Sequence, residues 1–175
     1  MKKLIQAINF AADRHRNQRR KDVEASPYIN HPIALANVLA NEAFIEDDRV
    51  LIAAILHDTL EDTETTEADL ARLFGQEITA IVLEVTDDKT LPKAERKRLQ
   101  IEHAATLSRR AKLVKLADKI CNLRDITCNP PSNWPEERKR EYFEWAKAVV
   151  DGLRGVNPAL EHLFDETYKA QPLPS

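Results

Sequence analysis

The sequence predicts an all-α protein with a single domain over residues 1–175. Apolar residues recur at helical spacing along the chain, and no alternating run of β-branched residues is long enough to indicate a strand. Only 3 glycines occur, too few for a fold built on β-turns or for a glycine-rich phosphate loop. Hydrophobic residues make up 43% and charged residues 31%, as in a globular domain, and the ordered core is expected over about residues 4–168.

The helices can be placed in order from their apolar faces and from the residues that begin or end them. An amphipathic first helix ends near Arg14, and a polar loop follows. Pro32 suits the first turn of a second helix, which buries Ile33, and is expected to hold His31 extended before it. Gly75 suits the left-handed cap of the fourth helix. The predicted helices start near residues 4, 31, 50, 66, 78, 93, 111, 136 and 158, and a proline-rich loop spans residues 129–135.

The segment His57–Asp62 carries four ionisable side chains directly after a run of seven apolar residues. A helix that apolar is buried, and a bare carboxylate is costly to bury unless it is paired or bound to a metal. In a continuous helix, Glu61 lies one turn beyond His57, and Asp62 lies one turn beyond Asp58. The first pair can then reach inward while the second lines the mouth of the same cavity, as a hydrolytic metal site requires. The competing interpretation is an exposed helix end with solvated acids.

Asp118 is a candidate to complete such a site. It lies on the border of the apolar face of the helix over residues 111–126, and Asn122 and Asp125 follow it along that border. An acid beside a buried face is well placed to reach a shared cavity. The competing interpretation is a salt bridge from Asp118 to one of two cations on the same helix, Lys115 or Arg124.

His31 is the other candidate ligand, and the alternative for it is a histidine that caps a helix or lies in a loop. His31, His57, Asp58 and Asp118 would give a mixed nitrogen and oxygen set without a thiolate. Such a set suits Mn²⁺, Fe²⁺ or Zn²⁺ rather than a structural zinc. The remaining histidines have polar neighbours in the sequence and are predicted at the surface: His15, His103 and His162.

Positive charge is concentrated in two segments although the formal net charge is −3. This segregation indicates a polyanionic ligand such as a nucleotide or pyrophosphate, and the net charge argues against wholesale nucleic-acid binding. The competing interpretation is a set of solvated helix faces, with Glu95 pairing to Lys97 or Arg98. The first segment contains Arg14, Arg16, Arg19, Arg20 and Lys21, and the second contains Lys89, Lys93, Arg96, Lys97 and Arg98.

The chain has no sequence feature of a secreted or membrane protein. Cys121 and Cys128 would lie two turns apart on one helix, about 10 Å, which is too far for a disulfide. The first residues lack the apolar run of a signal peptide, and no stretch approaches a membrane span. We therefore expect a soluble, cytoplasmic protein with reduced cysteines and no membrane partner. Its oligomeric state is left open.

Five motifs in a fixed order resemble those of the RelA/SpoT-type HD-domain hydrolases, and most closely the short stand-alone hydrolases that include the metazoan SpoT homologue. The similarity extends from Ala7 to about Phe164. An HD pair alone is weak evidence, whereas five ordered motifs with these spacings are specific. The motifs are Arg19–Asp22, Pro27–Pro32, His57–Asp62, Glu84–Lys89 and Leu113–Lys119.

The resemblance implies an HD-domain helical bundle that removes the 3′-pyrophosphate from guanosine tetra- or pentaphosphate with Mn²⁺. It also implies no synthetase activity, because the chain has no room for a second domain. By analogy His31, His57, Asp58 and Asp118 are the metal ligands, and Glu61 and Asp62 are the catalytic acids. The substrate contacts implied in the same way are Arg20, Lys21, Lys93, Asn122, Arg138 and Tyr142.

Three other functions remain open from the sequence. The first is phosphohydrolysis of NADPH or another nucleotide on the same fold. The second is an alarmone sensor that binds without cleaving, which has little need for Glu61 and Asp62. The third is a nucleic-acid-binding module, which predicts salt-dependent binding that is indifferent to Mn²⁺.

Overall fold

The computed structural model describes residues 1–172, and over these residues the chain is helical, with only one isolated bridge, between Arg19 and Pro27, and no strand. The prediction of an all-α fold is confirmed. Within this range no helix is both long and apolar enough to cross a membrane. The helices are α1 Lys2–Arg14, α2 Asn30–Asn37, α3 Asp48–Leu56, α4 Thr59–Asp62, α5 Glu67–Phe74, α6 Gln76–Val85, α7 Lys93–His103, α8 Arg109–Cys128, α9 Glu136–Asp151 and α10 Pro158–Tyr168, with a π-helical turn over Val38–Glu42 and a 3₁₀ turn over Ala104–Thr106.

Helix α8 is the centre of the fold, since it packs against α2, α3, α6, α9 and α10. Its side chains are buried on most sides, with Leu116 and Ile120 fully enclosed. Ser108 begins the helix by accepting a hydrogen bond from the Ala111 amide at 3.2 Å. Because a helix surrounded by others can place a polar group only into an internal cavity, Asp118 in its middle is directed there.

Helix α3 is buried along its whole apolar run, from Val50 to Leu56, and packs against α1, α2 and α6. Asp47 caps its first turn by accepting from the Arg49 amide at 3.0 Å. The C-terminal end of this helix therefore lies in the interior of the protein. His57, which follows it directly, is 5% exposed.

The helix does not continue through the motif, which corrects one expectation. His57 and Asp58 form a turn between α3 and the short α4, and Asp58 has φ −100° and ψ 0°. The one-turn spacing from His57 to Glu61 is therefore interrupted. No glycine or proline occurs at the break, so the local sequence does not predict its position.

The second helix departs from prediction in two ways. Helix α2 begins at Asn30, so His31 is already helical and is not held extended by Pro32. Ile33 is 42% exposed, whereas Leu35 and Val38 are buried. Pro32 lies in the first turn, where its missing amide donor costs no helical hydrogen bond.

Candidate active site

Three helices bring together a group of side chains that could hold a metal ion. His31 from α2, His57 from the end of α3 and Asp118 from α8 each offer one ligand atom, and these atoms all lie within 4.8 Å of one another. Both histidines are buried, and the Asp118 side chain is 15% exposed. The structure thus brings together three of the four residues predicted as ligands.

The hydrogen bonds of His57 leave one ring nitrogen free to bind a cation. Its Nδ1 lies 2.8 Å from the carbonyl oxygen of Ala54, which can only accept, so Nδ1 carries a proton. In the neutral ring Nε2 then carries a lone pair. This nitrogen lies 2.9 Å from Asp58 Oδ2 and 3.9 Å from Asp118 Oδ1, without hydrogen-bond geometry to either. A lone pair facing two carboxylates is stable only with a cation among them, either a proton or a metal.

The pKa of His57 has the direction expected for a position that attracts positive charge. Burial alone would lower it, but the negative charges of Asp58 and Asp118 raise it to about 9. The pKa of His31 is lowered because burial outweighs its contact with Asp118. His31 Nε2 lies 3.2 Å from Asp118 Oδ1, and its Nδ1 has no hydrogen-bond partner among the described residues.

Asp58, the fourth predicted ligand, lies beside this group. It accepts a hydrogen bond from the Tyr28 hydroxyl and is close to His57. Burial raises its pKa, but the charges of His57 and His31 outweigh that effect and the net shift is downward. Asp58 is therefore an ionised carboxylate within reach of the same centre.

Asp118 is held by three neighbours. Asn122 donates to Oδ1 at 2.7 Å, and Lys119 donates to Oδ2 at 3.1 Å. Burial opposes ionisation, yet the Lys119 charge and the contacts with His31 keep the pKa of Asp118 well below its usual value. The competing interpretation of Asp118 as an ion-pair partner of Lys115 or Arg124 is wrong, because Lys115 binds the Val85 carbonyl and Arg124 binds Glu42.

Glu61 and Asp62 have different environments although they are adjacent. Glu61 Oε2 accepts from the Asp87 amide at 3.1 Å, and burial raises the pKa of Glu61. Asp62 accepts from Gln18 Nε2 at 2.9 Å and from the Lys89 ammonium. Burial thus favours the protonated form of Glu61, whereas Asp62 accepts hydrogen bonds from two side chains.

These side chains line two neighbouring cavities. The smaller, about 220 Å³, is mainly polar and contains the three-residue group with Asp58, Glu61 and Asp62. The larger, about 490 Å³, extends outward past Tyr28 and Trp134. The two share a wall formed by Arg20, Tyr28, His31, Asp62, Asn122 and Tyr142. A ligand that enters both must therefore pass Arg20 and Asn122.

Four of the six predicted substrate contacts lie in these walls. Arg20, Asn122 and Tyr142 line both cavities, and Lys21 lines the larger one. Lys93 and Arg138 are not among the lining residues, although they stand close by. The pKa of Lys93 is lowered by burial and then by the charges of Arg138, Lys21 and Arg96, as expected where cations crowd together.

The two basic segments have separate outcomes. In the second, Arg98 pairs with Glu95 and Glu102 on the surface, as the solvated alternative predicts. In the first, Arg20 reaches inward to Asp125 while its guanidinium lies 5.8 Å from the Tyr28 ring centre. Only part of each segment therefore faces the candidate site.

Several site residues were missed from the sequence. His15 is 2% exposed, so its predicted surface position is wrong. The missed signal was the spacing Ala7, Ala11, His15, which continues the buried face of α1 by one more turn. Lys115 and Lys119 are also buried beside the site, 7% and 3% exposed, and no local pattern distinguishes them from surface lysines.

Comparison with known proteins gives consistent results. A family model described as an HD domain matches residues 7–144. The chain is 56% identical over 168 residues to guanosine-3′,5′-bis(diphosphate) 3′-pyrophosphohydrolase MESH1 of Xenopus tropicalis, covering 96% of this chain and 94% of that one. It is 36% identical to the bifunctional (p)ppGpp synthase/hydrolase SpoT of Escherichia coli, of which it spans 24%. A solved structure described as a metazoan ortholog of SpoT that hydrolyses ppGpp superposes with a TM-score of 0.94 at 52% identity, covering 98% of this chain and 97% of that one.

Proposed function

Because this chain belongs to the HD-domain family, with MESH1-type and SpoT-type hydrolases as its relatives, we propose that it removes the 3′-pyrophosphate of (p)ppGpp. The observation that carries the proposal is the pair of joined cavities. The inner one combines the metal-ligand group with two further carboxylates, and the outer one has room for a nucleoside. A nucleotide with a phosphate chain on its ribose matches this division.

His31, His57, Asp58 and Asp118 would hold the ion, which we propose to be Mn²⁺. The free Nε2 of His57, aimed at two ionised carboxylates, supports this assignment because it leaves a place for a cation. Mixed nitrogen and oxygen ligands suit Mn²⁺. When bound, the ion would make a water more acidic and offset charge on the phosphate oxygens.

Glu61 is the proposed base. Burial raises its pKa towards neutral pH, and an acid–base group is most effective when its pKa lies near the working pH. It would take a proton from the attacking water, whose oxygen bonds to the phosphorus on the ribose 3′-oxygen. The bond between that phosphorus and the 3′-oxygen breaks, and a proton returns to the 3′-oxygen with the assistance of Asp62. The products are GDP or GTP and pyrophosphate.

The cations and aromatic rings around the cavities would bind the substrate. Arg20, which lies over Tyr28 at the junction, would bind the guanine together with Lys21, and Asn122 would contact the ribose. Lys21 and Tyr142 would bind the nucleoside in the outer cavity. Lys93 and Arg138 would add positive charge for the 5′-phosphates at its border.

A substrate panel tests the function. Purified protein is incubated with Mn²⁺ and ppGpp, pppGpp, NADPH or dGTP, and the products are separated by chromatography. GDP and pyrophosphate from ppGpp are the expected result. Orthophosphate from NADPH alone would contradict the proposal in favour of the alternative phosphohydrolase, and ppGpp that binds without turnover would identify a sensor. Salt-dependent binding of RNA or DNA that ignores Mn²⁺ would support the nucleic-acid alternative.

A further inference from the structure

A chain of two hydrogen bonds connects the buried His15 to the proposed catalytic Asp62. His15 Nδ1 lies 2.7 Å from Gln18 Oε1, and Gln18 Nε2 lies 2.9 Å from Asp62 Oδ2. The Gln18 backbone is also fixed, since its amide binds the His15 carbonyl at 2.9 Å and its carbonyl accepts from the Tyr28 amide at 3.1 Å. The amide side chain therefore projects from a restrained turn directly behind Asp62.

The chemistry of the three groups fixes the direction of these bonds. A carboxylate only accepts, so the Gln18 amide nitrogen must face Asp62 and the Gln18 oxygen must face His15. The Gln18 oxygen also only accepts, so His15 must carry a proton on Nδ1. The hydrogen bonds thus select one orientation of the amide and one protonated ring nitrogen.

His15 also supports the metal-ligand side of the motif. Its ring packs against the Tyr28 ring at 4.8 Å between centres, and the Tyr28 hydroxyl donates to Asp58. His15 Nε2 is buried without a hydrogen-bond partner among the described residues. The buried ring therefore makes its one side-chain hydrogen bond among the described residues through Nδ1, to Gln18.

We propose that His15 and Gln18 are positioning residues that hold Asp62 in its reactive orientation. His15 lines neither cavity, and Gln18, which lines the outer one, is assigned no contact with the metal. The role rests on the proposed function, because it concerns the carboxylate that assists hydrolysis. It follows that His15 acts on turnover through Gln18, two hydrogen bonds away from the reacting atoms.

Paired variants at each position test the role. Gln18→Leu removes both hydrogen bonds, and His15→Leu removes only the first. His15→Asn places an amide donor near the position of Nδ1, so it retains the bond to Gln18 without the ring. Two substitutions on exposed helix surfaces serve as matched controls, Gln6→Leu on α1 and His162→Leu on α10.

We expect Gln18→Leu and His15→Leu to lower kcat about 10- to 100-fold, as for other residues that orient catalytic groups. KM and bound Mn²⁺ should stay near wild type in His15→Leu, because His15 lines neither cavity and leucine can still pack against Tyr28. His15→Asn should recover most of the turnover, and both controls should match wild type. A higher KM or a lower metal content in His15→Leu with unchanged kcat would overturn the proposal. An equal loss of kcat in His15→Asn and His15→Leu would also overturn it.

A second measurement does not depend on activity or on the variants folding. Long-range ¹H–¹⁵N spectra of the wild-type protein, kept free of paramagnetic metal, report which ring nitrogen of His15 carries the proton. We expect Nδ1, and a proton on Nε2 alone would overturn the proposal. If wild type fails on ppGpp but turns over another nucleotide of the panel, the proposed function fails while the same kcat comparison on that nucleotide still tests His15 and Gln18.

Discussion

At the scale of single residues, the contrast between Glu61 and its neighbours explains how adjacent acids can have different tasks. The Glu61 side chain is 18% exposed, and burial raises its pKa. One oxygen accepts from the Asp87 amide, and the other lies 3.8 Å from an Arg96 nitrogen. The hydrogen bond from the Asp87 amide moderates the rise in the pKa of Glu61.

Replacing Glu61 by Gln should separate proton transfer from positioning. The amide oxygen can still accept from the Asp87 amide, but the side chain can no longer take a proton. We expect kcat to fall about 10²- to 10⁴-fold, the usual contribution of a general base. Steady-state kinetics and metal analysis of the purified variant check this, and full turnover with normal Mn²⁺ content would exclude the role.

The acidic side of the pH–rate profile should respond to Arg96. A base must be ionised, so activity is lost as pH falls through the pKa of Glu61. The Arg96 cation, 3.8 Å from Glu61, favours the ionised carboxylate, so Arg96→Met should raise that pKa and move the acidic limb to higher pH. Profiles of kcat/KM for this variant and for the surface variant Arg98→Met provide the test, and a shift to lower pH would contradict it.

The sequence predicted single residues correctly where residue type and position beside an apolar run were informative. The histidine and aspartate types, their order and their place beside apolar runs identified His31, His57 and Asp118, which the fold brings together. Their roles stay predictions. The buried position of His15 was missed because sequence neighbours such as Arg14 and Arg16 suggested solvent, whereas a helix places those side chains on other faces.

At the scale of secondary structure, helix starts were predictable because they depend on local chemistry. Helix α5 begins after Thr66, whose side chain and that of Asp69 form a capping box, and α10 begins at Pro158. The break after α3 has no glycine or proline to mark it, and Asp58 there accepts a hydrogen bond from Tyr28, which is distant in the sequence. Local signals therefore located the helices, while the interior determined the one interruption that shapes the site.

The junction of α9 with the 3₁₀ turn gives a prediction about packing. A Cβ built on Gly152 would lie 2.7 Å from Ala104 Cβ, closer than real contacts allow. Gly152 has an ordinary φ of −79°, so backbone strain does not contribute. We expect Gly152→Ala to destabilise the protein by about 1–3 kcal/mol through overpacking, measured by urea unfolding.

Removing the opposing methyl group provides the control for this contact. Ala104→Gly combined with Gly152→Ala should be more stable than the sum of the single changes predicts. Gly75→Ala meets no atom within 4 Å but must adopt φ +94°, so its loss of stability should not be relieved by Ala104→Gly. Strict additivity of Gly152→Ala and Ala104→Gly would contradict the overpacking explanation.

At the scale of the whole molecule, the candidate metal-ligand group joins α2, the end of α3 and α8 in the interior. A metal that binds only the folded protein should therefore stabilise it, by about 2.7 kcal/mol at a free concentration 100 times Kd. For a chain of this size that corresponds to roughly 5–11 °C in Tm. Thermal unfolding with Mn²⁺ and after chelation measures the difference, and His57→Asn should abolish it.

The pH dependence of the metal-free protein should reveal the same centre. The pKa of His57 is raised from 6.5 to about 9 in the folded protein by Asp58 and Asp118, against the effect of burial. A raised folded pKa contributes stability that is complete below pH 6.5 and is lost as the pH rises through about 9. The two aspartates have lowered pKa values, and His31 does as well, so their contributions change below this window.

We therefore expect the Tm of chelated wild type to fall between pH 6.5 and 9 more steeply than that of His57→Asn. With saturating Mn²⁺ the ion replaces the proton on His57, and the excess fall should disappear; equal slopes for wild type and variant without metal would contradict the prediction.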